Sequence, residues 1–275
     1  MTLFYIIGAG PSYMDVTEEE WKYLEDKHTL TFTRVPYGSR KFEYYFSIER
    51  NYLDKSVLEY MEKLGYTDTK LILYLPESIV LAKKLGFNRI GWVNKQTFYF
   101  MPSRQPWFLD ESKPPHKFIK CRAKSFMEPI FRFRGQLTAA VNSALILGAT
   151  EIRLIGVDLN NQKNFYQYED ILRKVCKDEK TVNDYLEFDR IKHELGVKEE
   201  LNKYKEYNQD TMHSTNTPIT DETKWGNRQL RGVADTLQWM DSELKEEGLS
   251  GIYITNKNSL LFKENKLEYK SIMGD

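Results

Sequence analysis

"FYIIGAGPSYMD", residues Phe4–Asp15, joins an apolar run to a turn of two glycines, a proline and a serine. The run has the composition of a β-strand, and the turn feeds a helix. "TEEE" sets Glu20 three residues after Thr17, the spacing of a capping box, with Asp15 or Thr17 as the cap. Strand, glycine turn and helix in that order open a Rossmann-like unit. In such a unit Gly8, Gly10, Pro11 and Ser12 bring the backbone close to a phosphate, and the helix start offers free amides and a positive dipole end. The third glycine of the dinucleotide fingerprint and the lysine of a P-loop are both missing. Taken alone, the stretch reads equally well as a tight corner between strand and helix.

Outward from this turn, short apolar and aromatic runs alternate with segments of helical period. Strands are predicted over 29–35, 42–48, 71–76 and 151–159, with a final strand over 251–256. Helices are predicted over 53–65, 78–87, 135–149 and 222–248, three of them stopped by Gly65, Gly148 and Gly248, residues that tolerate the left-handed closing position. The alternation predicts an α/β, Rossmann-like fold, a mostly parallel sheet flanked by helices. The unbroken apolar centre of "EIRLIGVDL" suits an interior strand. Prolines at 106, 114 and 115 mark 103–117 as an irregular connection. Residues 160–212 differ in texture, with 12 acidic and 10 basic side chains and five tyrosines. They predict short amphipathic helices forming a lid or insertion. The expected organisation is one domain: a nucleotide-binding core over 1–159, the lid over 160–212, and a return to the core over 213–275.

Composition narrows the function classes. The 275 residues carry 40 basic and 40 acidic side chains, so no global charge calls for a polyanionic partner. Two cysteines, Cys121 and Cys176, make no disulfide framework and predict a reducing, cytoplasmic setting. No run approaches the ~18 apolar residues of a membrane helix, so no integral membrane segment is expected. There is no Asp-x-Asp pair, no His-Glu-x-x-His and no Gly-x-Ser-x-Gly elbow, which disfavours a metal-dependent transferase and a serine hydrolase.

Three further segments bear on chemistry. In "TMHSTNTPI", residues 211–219, the His213 imidazole can serve as a general base near neutral pH, or the segment is a turn rich in capping residues. Asp158 falls at the carboxyl end of a predicted interior strand, where open α/β sheets bind ligands. Tyr166 and Tyr168 follow it, and a phenol there can donate to a departing phosphate. Between Lys113 and Arg134, seven basic residues against one acid interleave with Phe118, Phe126, Phe131 and Phe133. That pattern suits single-stranded nucleic acid or a phosphate-rich acceptor; the blander account, in which the phenylalanines reach the core, is slightly preferred.

In their order and spacing, "FYIIGAGPS", "AAVNSALILGATEIRLIGVDL", "HSTNTPI" and "IYITNKNSLL" resemble the bacterial sialyltransferases of glycosyltransferase family 42 and a related Rossmann-like group. The resemblance implies a GT-A-like variant of the fold with a helical lid, and a metal-independent, inverting glycosyltransferase. It places Gly8, Gly10, Pro11 and Ser12 at the nucleotide, His213 as the base that deprotonates the acceptor, and Tyr166 as an aid to phosphate departure, with Asp158 at the same rim.

The sequence departs from the family at identifiable positions. Asn160 stands where the family has a second tyrosine. Gly135, Gln136 and Leu137 replace Thr-Ser-Gly, and Arg34 lies where an asparagine contacts cytidine. With Arg34, Gln136 and Asn160 assigned to the nucleotide side, the donor stays open between cytidine- and uridine-linked sugars, the second meeting Arg34 or Arg134 with its extra phosphate. The acceptor is a glycan or, as in viral DNA-modifying glycosyltransferases, hydroxymethylated bases of DNA. No cofactor is expected beyond the nucleotide-sugar substrate. A non-catalytic nucleotide-binding protein of the same fold is the alternative from another class.

Overall fold

The computed structural model describes residues 1–47, 52–74, 97–102, 118–132, 136–159, 164–200 and 233–274. Its centre is β1 (Leu3–Ile7), whose side chains alternate between two apolar layers. Phe4 and Ile6 enter one layer, Tyr5 and Ile7 the other, all at 1% exposure or less. Each such side chain contributes about 1.5–3 kcal/mol on burial. A strand apolar on both faces must be covered on both, which dictates an interior position.

Around β1 stand β2 (His28–Phe32), β3 (Tyr44–Ser47), β4 (Lys70–Tyr74), β5 (Thr97–Pro102), β6 (Pro129–Ile130), β7 (Glu151–Ile155), β8 (Gly251–Ile254) and β9 (Glu268–Tyr269). The sheet order is β6-β5-β4-β3-β2-β1-β7-β8-β9, and every pairing is parallel. The chain therefore builds outward from β1 to β6, then crosses back to lay β7 on the other side of β1. That reversal makes the carboxyl ends of β1 and β7 the topological switch point, where open α/β sheets form a crevice.

Helices cover both faces, as the alternation predicts. On the first lie α3 (Phe118–Cys121), α4 (Gln136–Ile146), α7 (Val233–Glu246) and α8 (Leu260–Lys263). The second is covered by α1 (Glu18–Leu24), α2 (Tyr52–Lys63), α5 (Glu169–Val175) and α6 (Glu179–Glu200). The Thr17–Glu20 capping box opens α1, and Gly65, Gly148 and Gly248 take positive φ just beyond α2, α4 and α7.

Two expectations change, and the preferred account of the basic-aromatic run holds for Phe118 and Phe131. Strand β8 is not the last, since β9 extends the sheet by two exposed residues that leave no apolar pattern to read. Helix α6 is a single 22-residue helix rather than a set of short ones. Asp178 caps it by accepting from the Thr181 amide at 2.9 Å, and buried Val182 and Tyr185 hold it to the second layer while Lys180, Asp184, Glu187 and Arg190 are exposed. The phenylalanines at 118 and 131 are core residues, 0% and 1% exposed, so the basic-aromatic run spends these two rings on folding. The helix predicted over 78–87, the connection over 103–117 and the first part of the helix over 222–248 lie outside the described residues.

Beneath the carboxyl-terminal segment, Arg153 and Glu151 are paired at 2.8 Å and buried, at 3% and 1% exposure. Arg153 also donates to the carbonyls of Ser271, Ile272 and Gly274, Lys270 reaches Glu151 at 2.8 Å, and the Tyr5 hydroxyl donates to the Ile272 carbonyl. Burial works to raise the Glu151 carboxyl, but the bonds from Lys270 and Arg153 prevail and hold it below its ordinary range.

Candidate functional site

At the switch point the two strand ends cross at backbone contact. The Gly8 amide donates to the Ile155 carbonyl and the Gly10 amide to the Gly156 carbonyl, both at 2.7 Å. A Cβ on Gly8 would stand 2.6 Å from the Gly156 oxygen, and one on Gly156, where φ is +63°, would stand 2.5 Å from the Gly8 oxygen. Only hydrogens fit there. The crossing thus accounts for the glycines by chain-to-chain approach.

Beyond it, Pro11–Asp15 form a 3-10 turn sealed by Asp158. The buried Asp158 carboxylate accepts from the Ser12 amide (2.8 Å), from the Ser12 hydroxyl, and from the Asn256 side-chain amide (2.8 Å). Its carbonyl accepts from Leu260 at 2.9 Å, which ties α8 to the same point. The amides of Gly8, Gly10 and Ser12 are therefore all committed to acceptors inside the protein. Tyr13 donates to Gly10 at 3.0 Å, and Pro11 has no amide hydrogen.

Two more 3-10 turns converge on this corner, Val35–Gly38 after β2 and Phe165–Gln167 after β7. The Phe165 amide donates to the Ala9 carbonyl at 2.8 Å, and its ring stacks on Tyr13 with centroids 4.5 Å apart. Asn164 opens its turn as one half of a capping box with Gln167, and its side-chain amide donates to the Tyr166 hydroxyl at 2.8 Å. At the end of β2, Thr33 takes a positive φ of 55° and turns the chain so that half-buried Arg34 heads the next turn. The Arg34 guanidinium lies 5.4 Å from the Tyr166 ring centroid and 5.3 Å from that of Tyr185. Both distances are within cation–π range.

Tyrosines surround this guanidinium. Tyr37 meets Tyr185 edge to face, and its hydroxyl pairs with Ser56 at 2.8 Å. Burial pushes the Tyr37 phenol up to about 12, against the pull of Ser56 and of the Arg34 charge. Burial likewise raises Tyr185, again against Arg34. Among the described residues the Tyr185 hydroxyl, in a side chain 3% exposed, has no hydrogen-bond partner.

No family model, curated protein or solved structure matches the chain. The site stands on its own geometry. Gly8, Gly10, Pro11, Ser12 and Asp158 share one joint, and Arg34 and Tyr166 share the neighbouring one. The bond between Phe165 and Ala9 links the two. Gln136 is the first residue of α4, and its side-chain oxygen is buried without a partner among the described residues. His213, Asn160 and Arg134 lie outside the described residues.

Three participants went unread in the sequence. Gly156 and Asn256 act on residues 148 and 98 positions away, and Tyr185 sits in a charged helix whose pattern does not single it out. The one available signal was "IG" after an apolar strand at Gly156. Among the described residues no group of three His, Cys, Asp or Glu side chains is placed to hold a metal ion, and no helix is long and apolar enough to cross a membrane.

Proposed function

We propose that this chain is a nucleotide-sugar glycosyltransferase that works by direct displacement, with inversion and without a metal. One observation carries the reading: the turns after β1, β2 and β7 converge at the switch point of a parallel sheet and set Arg34 against Tyr166 there. An arginine fork matches phosphate oxygens, and a phenol beside it donates to the oxygen that gains charge as the sugar leaves. In this reading His213 takes the acceptor proton and the freed oxygen attacks the anomeric carbon. The bond from that carbon to the phosphate oxygen breaks, and its electron pair stays on the nucleotide. Asp158 acts as a positioning residue that holds the Ser12 turn, and Asn164 fixes the Tyr166 hydroxyl.

The test is incubation with cytidine-, uridine- and guanosine-linked sugars, with free nucleotide as the readout. His213→Ala is expected to lower turnover by about 100-fold or more while donor affinity holds, the range of a lost general base. Turnover that survives the substitution unchanged sinks the assignment. A non-catalytic nucleotide-binding protein is the second reading, favoured by the internal commitment of the Gly8, Gly10 and Ser12 amides. Release of nucleotide from any donor by the wild-type chain excludes it.

A further inference from the structure

We infer that Tyr45 and Tyr66 are positioning residues, whose hydroxyls hold the two left-handed hinges of the turn that sets Arg34 against Tyr166. This rests on the nucleotide-sugar reading and adds the groups that keep its arginine and phenol together.

The turn Val35–Gly38, headed by Arg34, hangs between Thr33 at φ +55° and Ser39 at φ +58°. Neither hinge is a glycine, although glycine takes this region without strain. A β-branched residue there is a genuine outlier, and serine lacks the amide or carboxylate that eases asparagine and aspartate into it. Strained backbone of this kind persists only where its surroundings over-determine it, and it clusters at active sites and ligand clamps. Here the surroundings are two phenols. The Tyr45 hydroxyl, on a side chain 0% exposed in β3, donates to the Thr33 carbonyl at 2.9 Å. The Tyr66 hydroxyl, just beyond α2, donates to the Ser39 carbonyl at 2.9 Å. Each hinge thus has its carbonyl taken by a tyrosine from outside the turn.

The two ends are not held equally. Ser39 is also tied by its side chain, which donates to the Val175 carbonyl at 2.7 Å and meets the Tyr60 hydroxyl at 2.6 Å. Thr33 spends its hydroxyl on the Phe32 carbonyl next to it, at 2.7 Å, a bond that ties it to no other element. Tyr45 therefore carries the cross-strand hold on Thr33. Arg34 is the next residue, so return of Thr33 to an extended φ redirects the chain and takes the guanidinium from the rings of Tyr166 and Tyr185, now 5.4 and 5.3 Å away.

The experiment compares wild type, Tyr45→Phe, Tyr66→Phe, Thr33→Gly and the double variant Tyr45→Phe/Thr33→Gly. It reads turnover of nucleotide sugars per folded molecule, the urea midpoint, and the Arg34 Nε–H resonance by nitrogen-edited NMR. Tyr45→Phe keeps the ring and is expected to lower kcat by about 10- to 100-fold with donor KM held, the range of a group misplaced by about 1 Å. Tyr66→Phe should cost less, under about tenfold, because Ser39 keeps its other ties. Thr33→Gly should raise the urea midpoint at unchanged slope. The double variant should recover to within about threefold of wild type, since glycine keeps the hinge without the phenol. The Arg34 resonance should leave its ring-shifted position in Tyr45→Phe and regain it in the double variant. Unchanged kcat in Tyr45→Phe overturns the inference while the transferase stands, as does a loss that Thr33→Gly fails to rescue. An unmoved Arg34 resonance overturns it too. Wild type that consumes no donor sinks the transferase, and the resonance by itself then decides whether the phenols hold Arg34.

Discussion

Replacing Gly156 by alanine separates a corner made by the fold from a turn made for a phosphate. Gly156 sits at φ +63°, where an alanine costs about 1–2 kcal/mol. Its new Cβ would stand 2.5 Å from the Gly8 oxygen and 3.1 Å from the Gly8 carbonyl carbon. Both obstacles are backbone, and the Gly8 and Gly10 amides pin that backbone at 2.7 Å, so no side-chain rotation relieves the clash. Overpacking of this kind adds about 1–3 kcal/mol. The expected loss is therefore about 2–5 kcal/mol, a large part of the stability of an ordinary domain. Urea unfolding of Gly156→Ala against wild type reads it directly as a shift in midpoint at unchanged slope. Gly8→Ala, with its Cβ 2.6 Å from the Gly156 oxygen, should show a loss of similar size. Both losses should appear with no nucleotide present. A change below about 1 kcal/mol for both variants would refute the account of these glycines as a strand crossing.

Arg153→Met leaves the buried Glu151 with Lys270 alone and frees the carbonyls of Ser271, Ile272 and Gly274; stability should fall by about 3 kcal/mol and amide exchange over 270–274 should quicken. Unchanged exchange there would count against the stitch. The Asp178 carboxyl is pushed down to about 2 by the hydrogen bonds from Lys63 and Thr181. A depressed carboxyl stabilises the fold above its unfolded value, near ~3.9, and that contribution is lost as pH falls toward the folded value. Asp178→Asn should accordingly flatten the acid limb of a stability profile between about pH 4 and pH 2, the interval bounded by those two values; an unaltered limb contradicts the assignment. The Tyr13 hydroxyl is buried with no partner among the described residues, so Tyr13→Phe should leave the melting temperature unchanged or raise it, by up to about 1 kcal/mol in stability terms. Tyr37→Phe, which gives up the bond to Ser56, should lower it.

Where structure follows from neighbouring residues, the chain is legible. The Thr17–Glu20 box, the stops at Gly65, Gly148 and Gly248, and strands β1 and β7 all depend on spacings of a few residues. Strands β5 and β6 went unread because each carries a proline at its end, Pro102 and Pro129, a residue that punctuates a pattern yet is tolerated at strand ends. Helix α6 was underestimated because its described core contacts are few and its surface is laced by local ion pairs, Lys180 with Asp184 and Arg190 with Glu187.

The candidate site divides in the same way. That Asp158, Ser12 and Arg34 would stand at the carboxyl edge of the sheet follows from their places after strands. That the Asp158 carboxylate faces Ser12 and Asn256, and that two tyrosines enclose Arg34, depends on pairs 98 to 151 residues apart in the chain.

By itself, then, the amino-acid order determined the parallel α/β layering, the helix ends and the glycines of the opening turn, because hydrophobic period, capping and backbone freedom are local properties. Only the tertiary structure decided what those glycines serve, since the strand order that lays β7 beside β1 is what brings Gly156 against Gly8 and commits the turn's amides to the protein itself.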